Sequence, residues 1–341
     1  MKILIATGIY PPRAGGPSYF AQGLKEALQK LGHKVVVRTF TLERYLPTGL
    51  RHLVYFLKTV PVYLWADTTI VMDTFSVAVP VALMRKWFGK RMIIRTGGDF
   101  LWEQYVQRSK KKVLFPEFYS GHRYFTKKEQ TIFRLTRWAL ALADHVVFNS
   151  DYQRRVWSGP YTLSAEKTSI IENAFNSDIG QPNTPIRKNF ICITRQIQLK
   201  NIEFLREAFA VAKEKNPEIF LDVYFDIPHD MAMKKLAESY CAILVSISDI
   251  APNFALEALS LSKPIILTKE TGLTERIGHA ALYVDPLSVA DIADAIVQMA
   301  NDTIYDTYKQ RIKGFLHKRT YVDIAREFVD CITTQGVNAD L

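Results

Sequence analysis

Along the first half of the chain, apolar residues gather in short runs: Ile3–Ala6, Val35–Arg38, Thr69–Met72, Arg91–Ile94 and Val146–Phe148. Runs of this length that barely alternate with polar residues predict strands buried on both faces. Stretches with helical spacing separate them, such as Ser18–Leu31 and Val77–Trp87. The pattern stops at residues 176–189, a polar stretch punctuated by Gly180, Pro182 and Pro185. That composition predicts a linker. Beyond it the alternation resumes. Strands are predicted at Phe190–Ile193, Ile219–Phe225, Ala242–Val245, Pro264–Leu267 and Leu282–Val284. Helices are predicted at Ile202–Lys215, His229–Tyr240, Asn253–Ser260 and Val289–Asn301. The last segment, Tyr305–Thr334, is helical in periodicity.

Strand–helix alternation of this kind predicts parallel, doubly wound sheets. The expected organisation is a Rossmann-like domain over residues 1–175, a linker over 176–189 and a second Rossmann-like domain over 190–304. A helical tail over 305–341 is expected to pack back toward the first domain. Two such halves are expected to face each other across a cleft at the carboxyl ends of their strands, where open α/β sheets bind ligands. This predicts a location and not a reaction.

Composition narrows the class. Of 341 residues, 48% are hydrophobic and 23% charged, which excludes a disordered chain. No run reaches the roughly 18 apolar residues that a membrane span needs. Met1–Ala6 runs straight into Gly8, Pro11 and Pro12, which reads as a strand and its loop and not as a signal peptide. Cys192, Cys241 and Cys331 lie far apart among apolar neighbours and read as free thiols. The seven histidines form no close pair, so the sequence supports no metal site. Charge is uneven. Residues 1–172 carry 26 Lys and Arg against 12 Asp and Glu, whereas residues 173–341 carry 18 against 22. A basic first half points to an anionic partner for that half.

Three stretches carry candidate chemistry. The loop after the first strand contains Gly15-Gly16 and opens a helix, so its backbone can approach an anion. It lacks the G-x-G-x-x-G pattern of nicotinamide dinucleotide sites, and a plain strand–helix turn is the other reading. Arg195 closes the first strand of the second half and Lys200 follows just before a helix, a pair suited to a diphosphate, with ordinary solvated cations as the other reading. In the stretch from Ser246 to Ala258, Asp249 ends a strand and Glu257 sits on the next helix among Phe254, Ala255, Leu256, Ala258 and Leu259. A carboxylate on so apolar a face needs a partner, and ribose hydroxyls can supply one.

In order and spacing these stretches resemble the retaining glycosyltransferases of the GT-B fold, family-4 type. Tyr10-Pro11-Pro12 with Gly15-Gly16, and Gly32-His33-Lys34-Val35 after them, are similar to that family's opening. Arg195 and Lys200 match its diphosphate-holding pair. Asp249 to Glu257 matches its glutamate–seven residues–glutamate motif. The resemblance implies that Glu257 holds the donor ribose and that Asp249 faces the donor sugar. It implies a nucleotide-sugar donor as substrate, retention of configuration, a hexosyltransferase-type reaction, and no metal or cofactor.

Four departures change the picture. Asp249 stands where a longer glutamate is usual. Ile250-Ala251-Pro252 replaces a glycine-rich turn, and Pro252 has no N–H, which moves sugar recognition to the amides of Asn253 and Phe254. The family's first-domain histidine is missing; Thr96-Gly97-Gly98-Asp99-Phe100-Leu101-Trp102-Glu103 stands there and resembles a branch with Gly-Asp-aromatic-x-Trp-Glu, which moves that expectation to Asp99, with Glu103 second and a solvated or capping role the alternative for either. The stretch from Phe220 to Ser246 is short by a strand–helix unit.

The basic stretch from Leu101 to Trp138 interleaves Arg108, Lys110, Lys111, Lys112, Lys127 and Lys128 with Trp102, Tyr105, Phe115 and Phe118. Tyr45–Trp65 adds apolar residues that read as exposed. Basic residues mixed with aromatics suit a membrane interface; a solvated basic face with the aromatics in the core is the other reading. The acceptor is therefore expected to be a glycan or lipid-linked molecule in cell-surface polysaccharide or glycolipid synthesis. The enzyme is expected to be cytoplasmic, peripheral at the inner face of the membrane, and not to bind nucleic acid. A GT-B-shaped binding protein without catalysis is the alternative.

Overall fold

The computed structural model describes residues 1–341 apart from Ala14, 121–124, 176–184, Ile186, 314–318 and 334–341. The first elements are β1 (Lys2–Thr7), α1 (Gly16–Lys30), β2 (Lys34–Thr39), α2 (Thr48–Trp65), β3 (Thr68–Val71), α3 (Ala78–Phe88) and β4 (Arg91–Thr96). Then come α4 (Phe100–Ser109), α5 (Phe115–Ser120), α6 (Lys127–Leu142), β5 (His145–Phe148), α7 (Asp151–Ser158) and β6 (Thr168–Ile170). Next are β7 (Lys188–Thr194), α8 (Ile202–Lys215), β8 (Ile219–Phe225), α9 (His229–Glu238), β9 (Cys241–Leu244), α10 (Asn253–Ser260) and β10 (Ile265–Thr268). The chain closes with α11 (Thr274–Ile277), β11 (Leu282–Val284), α12 (Val289–Met299), α13 (Asp302–Lys313) and α14 (Tyr321–Thr333). The expected linker over 176–189 falls mostly outside the described residues.

The chain forms two compact units. The first comprises Met1–Leu101, His122–Ala174 and Arg319–Leu341; the second comprises Trp102–Gly121 and Phe175–Lys318.

In the first unit six strands pair in the order β2-β1-β3-β4-β5-β6, all parallel. One face of this sheet offers Ile3, Ile5, Ile70, Ile93 and Val147 to a core shared with Phe20, Leu24 and Leu28 of α1. Ile324, Ala325, Phe328 and Ile332 of α14 complete that core. At the contact of α1 with α14, a Cβ on Gly23 would stand 2.6 Å from the Tyr321 ring, so any larger residue would make that ring shift. Within the stretch expected to be helical lie two helices, α13 and α14. Thr320 and Asp323 bond reciprocally, with Thr320 N–H donating to Asp323 Oδ2 at 2.8 Å and Asp323 N–H to Thr320 Oγ1 at 3.2 Å. That capping arrangement starts α14 afresh.

In the second unit five parallel strands pair in the order β11-β10-β9-β7-β8. A single helix, α9, joins β8 to β9. Residues 102–121 join this unit, although a linear reading puts them in the first domain. Trp102 shows why. It is buried, and its indole N–H donates to the Val113 carbonyl at 2.9 Å. The Phe115 N–H donates to Ser248 Oγ at 3.0 Å. Trp102, Tyr105, Phe115 and Phe118 are all buried. These aromatics therefore build core, and the expectation that they mix with lysines at a surface is corrected.

Candidate active site

Strand order decides where the second unit can hold a ligand. β7 lies between β8 and β9, so the connections leave β7 and β9 in opposite senses and open a crevice at their carboxyl ends. Arg195 and Lys200 follow β7, and Asp249 follows β9. Lys200 Nζ donates to Asp249 Oδ2 at 2.5 Å, with the two side chains only 12% and 14% exposed. Ser246 Oγ donates to the same carboxylate oxygen at 3.1 Å. A carboxylate so shielded is retained because a cation and a hydroxyl share its charge.

Backbone bonds fix both partners. The Asp249 N–H donates to the Glu270 carbonyl at 2.8 Å, and the Gly272 N–H donates to the Asp249 carbonyl at 3.2 Å. The loop after β9 is thereby joined to the loop after β10. Beside Lys200, Asn201 has φ of +56°, a left-handed conformation that asparagine tolerates. Its amide donates to the carbonyls of Val245 at 3.2 Å and Pro286 at 2.7 Å, and its oxygen accepts from Lys112 Nζ at 3.0 Å. Asn201 thus ties the ends of three strand loops together behind Lys200. Sequence reasoning missed it; its place directly before a helix was the available signal.

Glu257 does have a polar partner, and it is one the sequence did not suggest. His229, the first residue of α9, stands with Nε2 3.0 Å from Glu257 Oε1. The bond with Glu257 raises the His229 pKa above its ordinary value, against the opposing effect of burial. The helix carrying Glu257 begins as expected. Pro252 is the N-cap residue of α10, no side chain caps it, and Asn253 and Phe254 supply its first amides. A second unforeseen pair joins two expected residues, with Arg195 Nη2 3.6 Å from Glu103 Oε2.

Gly15, Gly16 and Asp99 belong to the first unit. Gly15 has φ of +144° as the N-cap of α1, a conformation open to glycine, and its carbonyl accepts the Ser18 N–H at 3.0 Å. Asp99 is 1% exposed and accepts the Trp157 indole N–H at 2.8 Å. The turn leading to it is pinned by buried Gln153, whose amide donates to Thr96 Oγ1 and to the Gly98 carbonyl, each at 3.0 Å. At the β1–β3 boundary of this sheet, Asp73 accepts the N–H groups of Phe75 and Val77 at 3.0 Å, and burial still raises its pKa. Desolvation, the larger effect, outweighs the hydrogen bonds. Among the described residues, no group of three or more His, Cys, Asp or Glu side chains is placed to hold a metal.

No family model matches the chain, and no curated protein matches it in sequence. Solved structures do match. Sucrose-phosphate synthase from Thermosynechococcus elongatus is 13% identical, with a TM-score of 0.74 over 99% of this chain and 100% of that one. Anabaena HepE, solved in complex with UDP-glucose, is 16% identical, with a TM-score of 0.70 over 98% and 100%. WaaG, a glycosyltransferase involved in lipopolysaccharide biosynthesis, is 12% identical, with a TM-score of 0.70 over 97% and 99%. The chain has the GT-B fold, α/β with two parallel sheets. At these identities the likeness is one of fold.

Proposed function

We propose that this protein is a retaining glycosyltransferase that moves a hexose-type sugar from a nucleotide-sugar donor to a glycan or lipid-linked acceptor. The observation that carries the reading is the Lys200–Asp249 pair at the strand-order reversal of the second sheet. Arg195 and Lys200 bind the donor diphosphate, and Glu257 binds the ribose. Asp249, with the amides of Asn253 and Phe254, meets the sugar. The Gly15-Gly16 backbone adds donors for the diphosphate. Asp99, held by Trp157, positions the turn that meets sugar or acceptor. Breaking the glycosyl–phosphate bond puts negative charge on the leaving diphosphate, and the two cations stabilise it without a metal. The leaving phosphate oxygen takes the proton of the attacking acceptor hydroxyl, so no protein base is required. UDP-glucose is the first donor to try, because a structural neighbour binds it. The reaction belongs to cell-surface polysaccharide or glycolipid synthesis at the cytoplasmic face of a membrane, to which the basic first unit binds.

The test is a panel of nucleotide sugars, with release of the nucleoside diphosphate followed with and without a chelator. Turnover that survives chelation and is lost in Glu257→Ala supports the proposal. Failure to bind or turn over any nucleotide sugar overturns it and leaves a GT-B-shaped binding protein.

A further inference from the structure

Helix α2 is apolar on two sides. Tyr55, Phe56, Thr59 and Tyr63 are buried. Leu50, Leu53, Leu57 and Leu64 are exposed, Leu53 by 54% and Leu57 by 62%. Their spacing of three, four and seven residues puts the four leucines in one stripe, about 21 Å long at 1.5 Å per residue. Trp87, at the end of α3, is 62% exposed and widens the stripe, its ring edge-on to Phe56 at 5.4 Å between centroids. A contiguous apolar face of this kind needs an occupant.

Charge identifies that occupant. Residues 44–65 and 74–98 contain no Asp or Glu. Glu43, just before α2, is buried and already paired with Lys58. Exposed Arg44 precedes α2 in sequence and exposed Lys86 precedes Trp87, and Arg44 lies over the ring of exposed Tyr45 at 4.5 Å. Exposed leucines with an exposed aromatic beside them, in a stretch whose exposed charges are cationic, are what an acidic lipid surface accepts. Two copies of this face would bring like charges together. Among the described residues no helix is long and apolar enough to cross a membrane, so α2 would lie in the surface plane.

We infer that the exposed face of α2, with Trp87, is where this protein docks on an anionic membrane. The inference rests on the membrane association proposed above and assigns it to a surface other than the 101–138 stretch. The experiment is co-sedimentation with phosphatidylglycerol–phosphatidylcholine vesicles at low salt, beside vesicles of phosphatidylcholine alone. The variants are Leu53→Ser/Leu57→Ser, Trp87→Ala, and Leu287→Ser as an exposed control in the second unit. Wild type and Leu287→Ser are expected to bind the anionic vesicles. The double variant is expected to lose about tenfold or more in partitioning, from the apolar area withheld from lipid. Circular dichroism melts and nucleotide-sugar turnover in solution should stay at wild-type values in both α2 and Trp87 variants. Binding that the variants leave unchanged overturns the assignment of the surface alone. No binding by wild type overturns membrane docking, while turnover in solution is judged separately. A wild-type dimer in light scattering that the double variant abolishes, without vesicle binding, assigns the face to a second copy and overturns the inference.

Discussion

Lys200 and Asp249 lie 49 residues apart in sequence and 2.5 Å apart in space, each on a loop that leaves one of two adjacent strands. Both are largely buried, so removing one partner leaves the other charged and unsatisfied. Lys200→Met and Asp249→Asn are each expected to destabilise the protein by about 3 kcal/mol, with a double variant that loses less than the sum. Urea melts in a double-mutant cycle measure this. Donor kcat/KM should fall about 100-fold or more in either variant; additive losses in stability would show that the pair is not a unit.

The His229–Glu257 pair predicts a pH dependence. The folded-state pKa of His229 is raised. Its contribution to stability is therefore full below the unfolded value of about 6.5 and is lost as pH rises through the folded value. The His229 side chain is 53% exposed, so the contribution is about 1 kcal/mol or less. Wild type and His229→Ala should differ in melting temperature at pH 5.5 and converge by pH 8.5. Protonated His229 also competes with a ribose for Glu257. Donor KM should fall as pH rises in wild type and stay flatter in His229→Ala.

Arg195 is more than half exposed and its bond to Glu103 is long, at 3.6 Å. Arg195→Ala should leave the unfolding free energy within about 0.5 kcal/mol of wild type. Donor binding, read by calorimetry, should weaken about tenfold through the lost charge-assisted bond to phosphate. Glu103→Gln should leave binding equal or tighter, because it frees the guanidinium. Weaker donor binding in Glu103→Gln would refute this division of roles.

Trp157 donates to a carboxylate that is almost fully buried. Trp157→Phe keeps the aromatic bulk and removes the donor, at a cost of about 1–3 kcal/mol. If Asp99 positions the 96–99 turn, kcat should fall while donor KM holds. An unchanged kcat in a folded variant would limit Asp99 to a structural role.

The strands were legible because buried parallel strands are written as local apolar runs, and β1, β7 and β10 lie where Ile3–Ala6, Phe190–Ile193 and Pro264–Leu267 predict them. Asp249 and Lys200 could be nominated from their places after strands, but their bond could not, because it depends on which strands become neighbours. His229 was invisible as a partner of Glu257 for the same reason. Trp102 and Phe115 misled because interleaved lysines and aromatics look alike whether the aromatics turn outward or inward. Burial settles that, and a linear pattern does not encode it when the segment folds with residues more than 100 positions away, as Phe115 does with Ser248.

Helix α14 supplies Ile324, Ala325, Phe328 and Ile332 to a core that begins with Ile3 and Ile5. During synthesis the first unit is therefore started first and finished last. Its β1–β6 sheet emerges from the ribosome with one apolar face waiting, while the whole of β7–β11 is made before the covering helix arrives. At typical elongation rates of about 5–20 residues per second, that interval lasts many seconds. A nonsense mutation or proteolytic nick ahead of Tyr321 would spare every strand of the second unit, yet strand the first with its hydrophobic side uncovered. Such a product would need a chaperone rather than merely lacking a tail.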